Sequence, residues 1–245
     1  MDHIYIEACQ ATNETAPLDS DALRHIAALR LRDGEHVRVL NGKGLVATCT
    51  IERVGSQVTL RLGEREERAK PIALTLVMPI LDSRDRFEFA LEKATELGIT
   101  RFVPLLAERA QHHRTSNARL VAKAIASITQ CGVAWLLEIA DPVTIDTLPW
   151  ATYTIVGDEK GSVPQTLSPR PSALSPRPSA LSPSSDVCVV VGPEGDFSER
   201  EKQILHADPR TLRWAVGSNR LRAETAAIAL IANVKVALSD NHNSG

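Results

Sequence analysis

The stretch from Val187 to Glu201 constrains the fold more than any other part of the chain. Val187-Cys188-Val189-Val190-Val191 is a short β-branched run without polar alternation. That is the pattern of a strand covered on both faces of a parallel sheet. Gly192-Pro193-Glu194-Gly195 then turns the chain. Its glycines permit close approaches that a side chain forbids, and its proline stiffens the loop and removes a donor. Ser198 and Glu201 have the spacing of a capping box, which predicts a helix starting there. Open α/β sheets bind ligands on loops at the carboxyl ends of their strands. Taken alone, the segment reads equally well as a ligand loop or as an ordinary strand-to-helix turn.

The surrounding rhythm supports a parallel sheet. From Pro71 onward, strands are predicted over 72–77, 102–106, 153–157 and 212–216, with a shorter one at 135–139. Between them lie helical patterns. Over 85–97, Phe87, Ala90, Leu91, Ala94 and Leu97 share one face, and Gly98 caps the end. A second helix spans Asn117–Cys131 and stops at Gly132, and the last runs over 223–238. Residues 71–245 therefore read as an α/β domain with a mainly parallel sheet. The last helix is apolar almost all round, with Ala227, Ile228, Leu230, Ile231 and Val234 on different faces. Either its own domain or a second subunit must cover it, and a homodimer is the favoured expectation.

Residues 1–70 lack this alternation. They offer one short helix at 20–29 and strands over His36–Leu40, Leu45–Val54 and 57–62, with a hairpin signal at Asn41-Gly42-Lys43-Gly44. A charged run at 64–70 reads as a linker. A small β-barrel is the natural closed form for such strands.

The 245-residue chain has a net charge of -2, so nucleic-acid binding would have to rest on a local patch. Arg30, Arg32, Arg38 and Lys43 form either a phosphate-binding face or a solvated surface, because acids are interleaved with them. Cys9, Cys49, Cys131 and Cys188 have no metal or redox spacing, which fits reduced thiols in a cytoplasmic setting. The N-terminal sequence does not read as a signal peptide, and no apolar run is long enough to span a membrane. Phosphate-loop, dinucleotide-binding and zinc-hydrolase motifs are absent from the sequence. His112 and His113 are adjacent and cannot both meet one metal from a helix face, so no metal site is expected. Between 161 and 185 a proline-rich unit repeats, Leu167–Ala173 and then Leu174–Ala180. It is expected to be a disordered surface insertion, with a recognition arm carrying Arg170 and Arg177 as the alternative.

A second loop completes the picture. Val216-Gly217-Ser218-Asn219-Arg220-Leu221-Arg222 leads into Ala223-Glu224-Thr225-Ala226. Again a strand ends, a glycine opens a loop and a helix follows, so the two loops can frame one pocket. Arg220 and Arg222 stand at its mouth. They either pair with Glu194 and Glu224 or serve a ligand. An arginine beside a helix N-terminus gains nothing from the helix dipole, which favours the second reading.

Three separated segments carry a family resemblance: Leu91-Glu92-Lys93-Ala94-Thr95-Glu96-Leu97-Gly98, the Gly192–Gly195 loop, and Leu221-Arg222-Ala223-Glu224-Thr225-Ala226. In this order and spacing the chain resembles the 16S ribosomal RNA (uracil-N3)-methyltransferases, a branch of the knotted SPOUT methyltransferases. The resemblance spans nearly the whole chain apart from the proline repeat. It implies an N-terminal PUA-like domain over 1–70 that docks RNA, and a C-terminal domain with a deep trefoil knot, an exception to the usual rule against knots. It also implies a homodimer, S-adenosylmethionine as cofactor, and a uridine of the small ribosomal subunit RNA as substrate.

On that resemblance the cofactor is expected on Val156 and Gly157, on Val191 with Gly192 to Gly195, and on Val216, Gly217 and Leu221. Glu224, Thr225 and Ala226 complete the expected set. Uracil N3 is a poor nucleophile until its proton is lost, so a cation near the flanking carbonyls would stabilise the anion. Arg222 is the first candidate, followed by Arg109 and Arg220. Glu194 and Glu224 are expected to hold loops or an arginine rather than act as bases. Arg30, Arg32, Lys43, Arg114 and Arg119 are the expected RNA contacts. The chain departs from the family pattern twice. Asp196 stands where a further glycine is usual, and Val133 where an arginine is common. These departures motivate the alternative of an RNA-binding protein with weak or lost catalysis; a methyltransferase for another RNA is the second alternative.

Overall fold

The computed structural model describes residues 1–110, 114–162 and 186–239. His112, His113 and the proline repeat lie outside the described residues. The chain divides into two compact units, Met1–Pro71 with Ala124–Leu137, and Ile72–Lys123 with Glu138 onward.

The first unit holds β1 (His3–Tyr5), α1 (Ser20–Ala28), β2 (His36–Leu40), β3 (Leu45–Val54) and β4 (Gln57–Glu67). The strands form one sheet in the order β1-β2-β3-β4. β2, β3 and β4 are antiparallel neighbours, as hairpins require, but β1 joins parallel to β2. The expected barrel thus takes the form of a four-stranded sheet whose outer strand β4 is also bridged by Thr15 at Arg61. The β2–β3 turn follows the sequence signal. Asn41 Oδ1 accepts the Lys43 and Leu45 backbone N–H groups at 2.8 and 3.0 Å, and Gly42 and Gly44 take φ of 70° and 105°. The run at 64–70 is not a linker throughout. Glu66 and Glu67 continue β4 against Val46 and Leu45, because alternation and cross-strand pairing outweigh charge on an exposed strand end. Ile4, Val37, Val39, Cys49, Ile51 and Leu60 fill the interior, each fully excluded from solvent.

The second unit contains β5 (Leu74–Pro79), α2 (Arg84–Glu96), β6 (Arg101–Leu105), β7 (Glu138–Ile139), β8 (Tyr153–Ser162), β9 (Val187–Val190), α4 (Glu199–Ala207), β10 (Thr211–Trp214) and α5 (Ala223–Ser239). The helix α3 (Asn117–Cys131) contributes residues to both units. The sheet has the order β10-β8-β9-β5-β6-β7, and every pairing is parallel. β5 and β9 sit in the middle, and their apolar runs are buried as a doubly covered sheet demands. Phe87 of α2 meets Phe102 of β6 edge to face at 5.4 Å, a geometry worth roughly 0.5–1.5 kcal/mol beyond its area. After the edge strand β10 the chain returns across β8, and α5 packs on α2 and on β5 and β9. A knotted arrangement demands such a return.

β8 differs most from expectation. Predicted to end at Gly157, it runs to Ser162. Its pairing with β10 jumps from Val156↔Arg213 to Ser162↔Trp214, so residues 157–161 bulge out of the ladder. Gly161 makes the return possible, because a Cβ there would lie 2.7 Å from the Arg213 backbone carbonyl. Ser162, paired with Trp214, therefore belongs to the sheet rather than to the insertion.

Candidate active site

The strands β8, β9 and β10 are neighbours and parallel, so the segments that follow them emerge at one edge of the sheet. Together with α4 and the start of α5 they enclose a cleft of ≈ 1330 Å³. One wall is the β8 bulge from Val156 to Lys160. A second is Val191 to Glu194 with Asp196 and Phe197, and a third runs from Trp214 through Gly217 to Arg222. Ala226 and Leu230 of α5 add an apolar surface.

The β9 loop is braced from several directions. The Ser198 capping box is present: Ser198 Oγ accepts the Glu201 N–H at 3.1 Å, and Glu201 Oε2 accepts the Ser198 N–H at 2.8 Å. The second oxygen of Glu201, a buried carboxylate, accepts the Glu108 N–H at 3.0 Å and so ties the loop after β6 to the loop after β9. Gly192 lies under the Phe197 ring, and a Cβ there would approach it to 3.1 Å. Asp196 adopts φ 64°, a conformation that an aspartate tolerates better than most residues. Its Oδ1 accepts the Phe197 N–H at 2.7 Å, and its Oδ2 lies 2.6 Å from Lys202 Nζ. The left-handed backbone is a physical reason for glycine at this position. Here a self-bonded, Lys202-paired aspartate meets the same need, and its carboxylate is not left as a bare charge in the cleft.

The sequence-selected residues separate into distinct groups. Val156, Gly157, Val191, Gly192, Pro193, Glu194, Val216, Gly217, Leu221 and Ala226 line the cleft, as do Arg220 and Arg222. Gly195, Glu224, Thr225 and Arg109 do not. Arg109 donates from Nη1 to the carbonyls of Gly195 and Phe197 at 3.2 and 3.3 Å, so it braces the loop. Thr225 points away from the cleft and is exposed. Gly195 has no positive φ, and a Cβ there would meet only ordinary contacts, 3.6 Å from Arg109 Cβ. Gly195→Ala is therefore expected to move the melting temperature by less than about 2 °C, given that 1 kcal/mol is worth roughly 2–4 °C at this size. Gly192→Val should cost more, because Phe197 must yield; equal melting curves would contradict this packing.

Glu224 is buried and belongs to Arg86, which lies outside the three motif segments. Arg86 Nε donates to Oε1 at 2.8 Å and Nη2 to Oε2 at 2.5 Å. That fork, acting against burial, holds the Glu224 carboxyl below its usual range. Arg86 Nη1 also reaches Glu194 Oε1 at 3.3 Å. The pairings of Arg220 and Arg222 with these acids, which the sequence left open, do not occur between side chains. Arg220 donates to the Glu194 backbone carbonyl at 2.7 Å. Arg222 is exposed, and its backbone carbonyl accepts the Ala226 N–H at 2.8 Å, at the start of α5. Nothing local in Ser83-Arg84-Asp85-Arg86 signals the fork, because that pattern also fits an ordinary helix start.

At the bulge, burial opposes ionisation of Asp158, but the Lys160 N–H and the Arg213 guanidinium outweigh it and lower its pKa. Arg213 Nε donates to Asp158 Oδ2 at 2.7 Å, which pins the bulge to β10. Among the expected RNA contacts, Arg30, Arg32 and Lys43 are exposed on the first unit, with Lys43 3.1 Å from Glu7. Arg114 is exposed, whereas Arg119 is paired with Glu88. Among the described residues no group of acidic, histidine or cysteine side chains could hold a metal, and no helix is long and apolar enough to cross a membrane. Cys9, Cys49 and Cys188 are buried and Cys131 is exposed; burial pushes the Cys188 thiol up to about 12.

A parallel sheet with a cleft at the carboxyl ends of three adjacent strands, walled by glycine loops and carrying exposed arginines, is the arrangement in which open α/β proteins bind ligands. Comparison with known proteins narrows the class. The RNA methyltransferase domain description matches residues 68–235, and the RNA methyltransferase PUA domain description matches residues 18–62. The chain belongs to this RNA methyltransferase family. A Rickettsia conorii protein named ribosomal RNA small subunit methyltransferase E is 30% identical over 245 residues, covering 95% of this chain and 94% of that one. An Aquifex aeolicus protein of the same name is 25% identical over 85% of this chain and 89% of its own. A Legionella pneumophila protein described as a methyltransferase, solved with the cofactor SAM bound, superposes with a TM-score of 0.77 at 25% identity, covering 96% of this chain and 97% of that one. A Neisseria gonorrhoeae ribosomal RNA small subunit methyltransferase E, solved with S-adenosyl methionine, has a TM-score of 0.79 at 24% identity, again over 96% and 97%.

Proposed function

We propose that this chain transfers a methyl group from S-adenosylmethionine to N3 of a uridine in 16S ribosomal RNA of the small ribosomal subunit, in the cytoplasm. The observation that carries the reading is the cleft itself: loops from three parallel strands, with Arg222 exposed at its mouth. The cleft suits the cofactor. Gly217 takes φ 146°, and a Cβ there would meet nothing within 4 Å, so the backbone opens onto free space. Leu221 and Ala226, partly exposed in the lining, offer apolar surface for an adenine, and the loops around Gly192 and Gly217 offer main-chain groups. When bound, S-adenosylmethionine supplies an electrophilic methyl group on a sulfonium sulfur.

The residues of the chain then have two tasks. The first is to hold the uracil in line with the methyl group, which can supply several kcal/mol of the barrier reduction. The second is to stabilise negative charge on the carbonyls flanking N3 as its proton leaves. Arg222 is suited to the second task, and Arg220, anchored on the Glu194 carbonyl, to shaping the mouth. Arg30, Arg32, Arg38 and Lys43 would meet RNA phosphates, making binding salt-dependent. The reading extends to a homodimer. Ile228, Ala229 and Ala232 of α5 are only half-buried, and Val236 of α5 and Phe89 of α2, helices that pack together, are large exposed apolar groups.

The test is to incubate small subunits from a strain lacking the modification with the chain and cofactor, then map the product by mass spectrometry. A 3-methyluridine is expected. A methyl group on a ribose or on another base would contradict the assignment, and no incorporation would favour a binding protein without catalysis.

A further inference from the structure

Arg86 lies in the first turn of α2, outside the cleft and outside every motif that pointed to it. Its guanidinium nevertheless takes both acids that the sequence offered to Arg220 and Arg222. Two nitrogens fork onto Glu224 at 2.8 and 2.5 Å, and the third lies 3.3 Å from Glu194. The Glu224 side chain is 9% exposed, so this pair is well shielded from water. Glu224 follows Arg222 by two residues at the same helix start, and the Arg222 charge bears on it. Yet Arg222 makes no side-chain hydrogen bond or ion pair among the described residues, while it lines the cleft. A guanidinium already neutralised by a carboxylate presents little field to a developing anion.

We propose that Arg86 is a positioning residue for methyl transfer: by occupying Glu224 and Glu194 it leaves Arg222 unpaired and aimed at the substrate anion. This rests on the reading of the cleft as the methyl-transfer site. Without Arg86, the Glu224 carboxylate would recruit Arg222 as its counter-ion. The effect should fall on turnover more than on cofactor affinity, because neither Arg86 nor Glu224 lines the cleft.

The test compares wild type, Arg86→Ala, Glu224→Gln and the double variant, each assayed for kcat at saturating cofactor and for melting temperature. Arg86→Ala should lower kcat about 10- to 100-fold. The double variant should regain kcat to within about threefold of Glu224→Gln, because a neutral glutamine cannot capture Arg222. A double variant whose kcat stays at the Arg86→Ala level would mean that capture of Arg222 by Glu224 is not the cause of the loss and would overturn the proposal. An Arg86→Ala loss of kcat that only tracks a loss of melting temperature would make the role structural and overturn it too. If Arg86→Ala does not fold, Arg86→Lys carries the test. It keeps a charge beside Glu224 but loses the fork, so its kcat should fall less than that of Arg222→Ala and be restored by adding Glu224→Gln. A loss as large as that of Arg222→Ala, or one that Glu224→Gln does not restore, would overturn the idea. Failure of wild type to methylate would overturn the functional reading and this inference with it, whereas wild-type turnover with an unchanged Arg86→Ala kcat would overturn the inference alone.

Discussion

Arg222→Ala is expected to lower the turnover of methyl transfer by about 100- to 1000-fold, the usual consequence of deleting one preorganised donor at a site of developing charge. Affinity for S-adenosylmethionine should change by less than about threefold, because uniform binding and transition-state binding separate in such variants. The position of Arg222 explains the asymmetry. It sits on the last turn of loop before α5, exposed, while the surfaces suited to the cofactor are the loop backbones and the partly exposed apolar residues Leu221 and Ala226. Rapid-quench measurement of a single turnover on small subunits checks this. A variant with wild-type turnover would remove Arg222 from the mechanism; one that loses cofactor binding instead would make it a wall of the cofactor site.

Gly161→Val carries the largest expected effect on the scaffold. A Cβ at Gly161 would lie 2.7 Å from both the carbonyl carbon and oxygen of Arg213 and 2.8 Å from the Trp214 nitrogen. These are backbone atoms, so no side chain can rotate out of the way. β10 must move, and with it the Ser162 carbonyl's bond to the Ala215 N–H at 3.0 Å. Overpacking of this kind costs typically 1–3 kcal/mol. For a chain of this size that is a fall in melting temperature of roughly 2–12 °C. Cofactor affinity should fall as well, since Trp214 to Gly217 form one wall of the cleft. Scanning calorimetry and a binding titration on the same sample separate the two effects. An unchanged melting temperature would mean that the bulge does not hold β10 in place.

Much of this was legible in the residues because several local signals agreed. The β-branched run at 187–191, the Ser198–Glu201 box and the glycine at 98 each imposed one conformation, and each is found as read. The two glycine loops were recognisable as walls of one pocket because parallel strands deliver their following loops to the same edge. What escaped reading depends on residues far apart in the chain. The extension of β8 beyond Gly157 needs a partner 55 residues away, Arg213 on Asp158, and a jump in register that no local pattern encodes. Gly161 lies six residues before the proline repeat at Leu167, so composition alone does not separate it from the insertion. Arg86 and Glu224 are 138 residues apart, and an arginine near a helix start is unremarkable until the fold closes. Gly195 completes a motif, yet its backbone is ordinary; the residue that bears the left-handed geometry is Asp196, one position later. The parallel entry of β1 likewise has no local signature, since nothing in His3–Tyr5 distinguishes a parallel partner from an antiparallel one.

The measurement that tests the central claim most directly is a calorimetric titration with S-adenosylmethionine of the wild-type chain, Gly192→Val and Gly195→Ala. The cleft between the β8, β9 and β10 loops predicts saturable binding by wild type, wild-type affinity in Gly195→Ala, and a loss of at least about tenfold in Gly192→Val, about 1.4 kcal/mol. No binding by wild type, or equal affinity in Gly192→Val, would contradict the account.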